Sequence, residues 1–393
     1  MAKPVIDIYP QSRTPELDRQ EFQNPSAIFR GTPFWAWNNK LDLPQLQRQI
    51  DCLKEMGLGG YHMHCRSGMD TDYMSPEFLE IVKGCVEYGK SKGMISWLYD
   101  EDRWPSGAAG GLVTQDHAFR SRHLLLTATA YTGQQGADLG DSSARGSRTE
   151  NGRLLARYDV VLDAAGTLKE YRRLADDDQP RGQIWYAYLE VAGDNPWFNG
   201  QAYVDTLNPK AIAKFVEVTH QRYYDTLKEY IGKEVPAIFT DEPQFTHKGQ
   251  FRTAHDTRDV LLPWTDDLLE TFAAAYDQRL ENHLPELFWE LPHHQPSLAR
   301  YRYHDHVAER FAQAFADTCG NWCQKHGLAL TGHMMEEPTL QTKTAAIGDC
   351  MRSYRSFQIP GIDMLCDAHE YTTAKQAQSA THQYGRPGVL SEL

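Results

Sequence analysis

A chain of 393 residues holds one large domain or two ordinary ones, and 41% hydrophobic with 24% charged residues excludes wholesale disorder. A net charge of -13 argues against a nucleic-acid backbone or an anionic membrane as partner and leaves a neutral ligand such as a sugar open. The seven cysteines include no C-x-x-C pair, no apolar leader opens the chain, and no run approaches the roughly eighteen apolar residues of a membrane span, so a reduced, cytoplasmic setting is expected.

After a polar arm over 1–30, short apolar runs alternate with amphipathic ones. "TPFWAWNN" (32–39) reads as a first strand. "DLPQLQRQIDCLKEMG" (42–57) places Leu46, Ile50, Leu53 and Met56 on one helical face and closes at Gly57. "GGYHMHCRSGMD" (59–70) is a second strand and loop, and 75–93 a helix with Ser75 as N-cap and Pro76 in its first turn. "MISWLYDED" (94–102) is the third strand. Strand and helix in alternation are the signature of βαβ units and a parallel sheet.

The beat breaks over 121–206, where alternating runs around a Gly- and Ser-rich stretch read as a small antiparallel β insertion. It resumes with a helix from about 208, a fourth strand in "VPAIFTDEPQF" (235–245), and a second, helical and Pro-punctuated insertion at about 246–296. A long helix, a fifth strand in "LALTGHMMEEP" (328–338), a sixth in "PGIDMLCDAH" (360–369), a helix, and a seventh in "PGVLSEL" (387–393) follow. Strands are thus predicted near 33–37, 59–65, 94–99, 235–240, 328–332, 361–365 and 388–392. The fold expected is α/β: a (β/α)8 TIM-type barrel lacking its last βα unit, with 31–120 and 207–393 as its two parts. A C-terminal continuation or a partner chain would complete it.

In such a barrel the active site forms at the C-terminal strand ends. There the sequence sets Trp35 and Trp37; His64 and Arg66; Asp100, Glu101 and Arg103; Asp241 and Glu242; His333 and Glu336; Asp363 and Asp367; and Glu392. Singly each has a structural explanation, as a turn carboxylate, a core histidine or a packed tryptophan. Together they suit glycoside hydrolysis, which needs one protonated and one ionised carboxyl group across the scissile bond. Crowded negative charge raises a carboxyl pKa and helps keep that proton.

The strings "FWAWN", "MGLGGYHMHCRSGMDTDYMS", "WLYDEDRWPSGAAGG", "FTDEPQF" and "LTGHMMEE" resemble the catalytic barrel of glycoside hydrolase family 106, the α-L-rhamnosidases and their relatives, along most of 31–393 outside the β insertion. The resemblance implies an inverting hydrolase of α-L-rhamnoside-like glycosides, with Glu242, Glu392 and Glu336 as candidate acid and base. It implies Trp35, Trp37, His64, Arg66, Asp100, Glu101, Arg103, Asp241 and His333 around a carbohydrate substrate, and in some members a calcium ion near the sugar. No EF-hand-type loop is present to hold one, and family members usually continue past the position of Leu393.

Two rivals remain. A metal-dependent amidohydrolase-type barrel would use His62-Met63-His64 with His333 and His369, although that H-x-H falls on the second strand and the fourth has no lysine at its end. A truncated, non-catalytic carbohydrate-binding barrel is the other.

Overall fold

The computed structural model describes residue 16 and residues 18–131, 148–149, 152–364 and 370–393; Asp367, His369 and most of the Gly- and Ser-rich stretch lie outside the described residues. The described residues form twelve strands: β1 (Phe34–Trp37), β2 (Gly60–Cys65), β3 (Ile95–Tyr99), β4 (Arg122–Thr127), β5 (Arg153–Leu162), β6 (Leu168–Arg173), β7 (Gln183–Val191), β8 (Ala237–Asp241), β9 (Val260–Trp264), β10 (Ala329–His333), β11 (Ile359–Asp363) and β12 (Leu390–Glu392). Seven form a parallel sheet in the order β1-β2-β3-β8-β10-β11-β12, and five an antiparallel one in the order β6-β5-β7-β4-β9.

This corrects the expected (β/α)8 barrel. The parallel sheet is open: among the described residues no eighth strand joins β12 to β1. Closure requires strand number and stagger to agree around the whole ring, whereas here the last strand is three residues long and pairs only with β11. The sheet is nonetheless strongly curved. Phe34 on β1 and Phe239 on β8 bring their rings within 4.9 Å across two intervening strands, where a flat sheet would hold those strands about 14 Å apart.

Strands β2, β8 and β10 are buried along their whole length, as expected of parallel strands covered on both faces. The concave face carries Phe34, His62, His64, Tyr99 and Phe239 in mutual ring contact. The convex face is covered by helices. Leu43–Glu55 buries Leu46 and Ile50, and Pro76–Ser91 begins where the Ser75 hydroxyl accepts the Phe78 N–H. No described helix is long and apolar enough to cross a membrane.

The antiparallel sheet draws on two parts of the chain, because β9 follows β8 and pairs with β4. The sequence reading has no strand there. Pro263 lies inside β9 and donates no hydrogen bond, which the edge position tolerates.

Where β8, β10 and β11 run side by side, glycine is required. Gly332 has φ +116°, and a Cβ there would stand 1.9 Å from the Thr240 carbonyl oxygen; one on Gly361 would stand 2.3 Å from the Gly332 oxygen. Gly332→Ala should therefore cost roughly 3 kcal/mol or more of stability in denaturant unfolding. A loss below about 1 kcal/mol would show that the strands can separate to admit a methyl group.

Candidate active site

The run after β3 builds a loop. Asp100 and Glu101 are 0% and 1% exposed. Asp100 accepts the Ser106 hydroxyl at 2.6 Å, while Glu101 accepts the backbone N–H groups of Asp102, Gly107, Ala108, Ala109 and Gly110. Burial raises the Glu101 carboxyl to about 8 against those donors, which favour its ionised form. Arg103 is held by Asp102 and Asn199. The structure thus places Asp100, Glu101 and Arg103 in the framework of this loop.

The loop docks on the end of β8. Ser106 N–H donates to the Asp241 carbonyl and Asp241 N–H to the Ser106 hydroxyl, both at 2.8 Å. Trp104 is thereby carried over the next residue, and its indole N–H donates to the Glu242 carboxylate. Glu242 has a left-handed backbone, φ 47°, which turns the chain as it leaves the sheet. Asp241 points into the concave interior and accepts the Tyr99 hydroxyl at 2.6 Å.

His333, at the end of neighbouring β10, occupies the centre. Its Nε2 stands 2.8 Å from Glu392 Oε2 and 3.7 Å from Asp241 Oδ1. Donor atoms of Glu242, His333 and Asp363 also lie within 4.8 Å of one another. Glu337 supports the cluster from behind, accepting the Tyr354 hydroxyl and the Asp363 N–H. A cavity of about 270 Å³ opens here, lined by Glu242, Glu336, Glu337 and Asp363.

Burial opposes a charge on His333, but the hydrogen bond to Glu392 and the negative charge of Asp241, Glu337 and Glu242 override it and lift the imidazole to about 10. Burial lifts Glu242 to about 7; His333 and the Trp104 indole oppose the lift, and Asp241 adds to it. Asp363 rises to about 6, also chiefly through burial. The site therefore offers a cation that persists up to about pH 10, a carboxyl group that titrates near neutrality, and a carboxylate fixed by an ion pair.

His64 lines the same interior, with Nε2 4.0 Å from Asp241 Oδ2, and desolvation pushes it down to about 3. Arg66 is exposed just beyond β2; burial raises the Asp241 carboxyl, and the Arg66 charge offsets a small part of that rise. Glu336 borders the cavity. Trp35 and Trp37 are not brought to the site: they pack on the convex face, where Trp35 donates to Gln49 and Trp37 meets Phe78. Sequence reasoning missed the inward neighbours Phe34, Tyr99 and Phe239. Strand pairing of Phe34 with His62 and of Trp35 with Met63 distinguishes the two faces.

Among the described residues, both groups able to hold a metal ion contain His333 and neither contains His62 or His64. Calcium takes about six to eight oxygen ligands. Here the carboxylates surround an imidazole that already supplies positive charge, so the donor set does not fit calcium.

No known family profile matches the chain, and no curated protein does. Among solved structures, a rhamnosidase from Novosphingobium sp. PP1Y superposes with a TM-score of 0.63 at 13% identity, over 95% of this chain and 52% of the rhamnosidase. That likeness is one of fold, and the chain spans about half the length of that protein.

In nitrogen-15 spectra of the imidazoles, His333 should stay doubly protonated until pH approaches about 10, and His64 should stay neutral until it falls to about 3. Because the folded value of His333 is raised, its stabilising charge is complete below about 6.5 and is lost as pH rises through its folded value. A midpoint near the ordinary histidine value for either residue would contradict this assignment.

Proposed function

We propose that this chain carries the active site of a glycoside hydrolase that cleaves the O-glycosyl bond of α-L-rhamnoside-like substrates with inversion. The observation that supports this best is a carboxyl group lifted to about 7, Glu242, within 4.8 Å of an imidazole that is ion-paired to a second carboxylate, Glu392. One group can give a proton while the other takes one, which is the division of labour that glycosidic cleavage requires.

Glu242, held by the Trp104 indole, donates its proton to the glycosidic oxygen as the bond to the anomeric carbon breaks. Glu392, held by His333, takes a proton from the water that attacks that carbon from the opposite face. Glu336, which borders the cavity without a bond to His333, is the alternative base. In this reading Asp241, Asp363 and His64 bind sugar hydroxyls. Asp100, Glu101 and Arg103 hold the loop that carries Trp104.

Glu242→Gln tests the acid. On aryl glycosides with poor leaving groups it should lower kcat by about 10²–10⁴-fold, with a much smaller loss on activated ones. Equal losses on both would remove Glu242 from the role. The wild-type enzyme needs Glu242 protonated, so kcat/KM should fall as pH rises through about 7. Activity that rose through that range would contradict the assignment.

A further inference from the structure

Two clefts, each larger than the one at the carboxylate cluster, lie away from it. One of about 840 Å³ and another of about 730 Å³ share a wall formed by Lys248, Arg300 and His304. Lys248 Nζ and His304 Nδ1 are both buried with no hydrogen-bond partner among the described residues. The ammonium lies over the face of the Phe245 ring, 5.3 Å from its centroid. A buried polar atom without a partner costs free energy, and a buried cation costs more.

The other charges around this groove are largely neutralised. Arg300 is paired with Glu290, and Arg352 with Asp305 and Asp349. Lys343 also lines the groove and is in no ion pair among the described residues. Two lysines are thus left without a counter-charge in a protein of net charge -13. Burial pushes the Lys248 ammonium down to about 7, and His304 is pushed lower still by burial and by the charges of Lys248 and Arg300. An anion in the groove would satisfy Lys248 and restore its charge.

We propose that this groove is a second binding site, separate from the carboxylate cluster, for a small molecule bearing a carboxylate or phosphate group, with Lys248 Nζ as its counter-charge and His304 Nδ1 as a hydrogen-bond partner. The loop that carries Lys248 is fixed independently of any ligand. Lys248 N–H donates to the Ala345 carbonyl and Phe245 N–H to that of Ala346, at the end of the helix Leu340–Ala346. The backbone that carries the amine is therefore set before an anion arrives, which limits the ordering cost of binding to the side chain.

The test is calorimetric titration of the full chain with inorganic phosphate and, separately, glucuronate. Binding of at least one anion is expected; the one that binds identifies the oxyanion. Lys248→Met should weaken it by about tenfold or more, with no loss in Tm because an unpaired buried charge has been removed. Lys248→Gln, which keeps a hydrogen-bonding group, should fall between. Glu242→Gln should leave anion binding unchanged, so the result does not depend on the hydrolase assignment. No binding of either anion to the wild type, or undiminished binding by Lys248→Met, would overturn the proposal.

Discussion

The imidazolium of His333 is the constraint around which the site is arranged. Asp241, Glu242, Glu337, Asp363 and Glu392 converge on it from β8, β11, β12 and the turns after β8 and β10. Carboxylates this close cannot all ionise without a nearby cation. One protonated histidine relieves part of that repulsion and divides the group. Glu392 is bound to it directly, whereas Glu242 keeps its proton to near neutrality because burial outweighs the attraction. The strand order makes this possible. His333 ends a strand between β8 and β11, and the missing side chains of Gly332 and Gly361 let the three backbones approach closely beneath it.

The acidic run after β3 serves the cluster indirectly. Five N–H groups converge on Glu101, so that the loop closes into a turn of fixed shape. Ser106 joins that turn to β8, and Trp104 passes the constraint on to Glu242. A tryptophan indole can only donate, so it orients the carboxylate without competing for its proton. Fully buried carboxylates can in this way set the geometry of one that borders a cavity.

The seven parallel strands were legible within about two residues at most ends, because unbroken apolar runs between capped helices leave little choice. Closure of the sheet was not legible. Counting βα units says nothing about whether the first and last strands meet. The outward facing of Trp35 and Trp37 was hidden because β1 carries aromatic residues on both faces, so alternation does not select one. Strand β9 was masked by Pro263, which argues against a strand unless it lies at an edge. The roles of Asp100 and Glu101 depend on where loop N–H groups point, which composition does not encode. Glu242, His333 and Glu392 could be placed together because each lies at or just past the end of a strand.

If the carboxyl groups around His333 cleave a glycoside by single displacement, as proposed, the configuration of the sugar released first reveals it. Proton NMR of an aryl α-L-rhamnoside during hydrolysis, recorded before the released sugar mutarotates, tests this most directly. The first-formed sugar should be the β-anomer, the product of direct attack by water opposite the leaving group. First release of the α-anomer, or no release at all, would contradict the account.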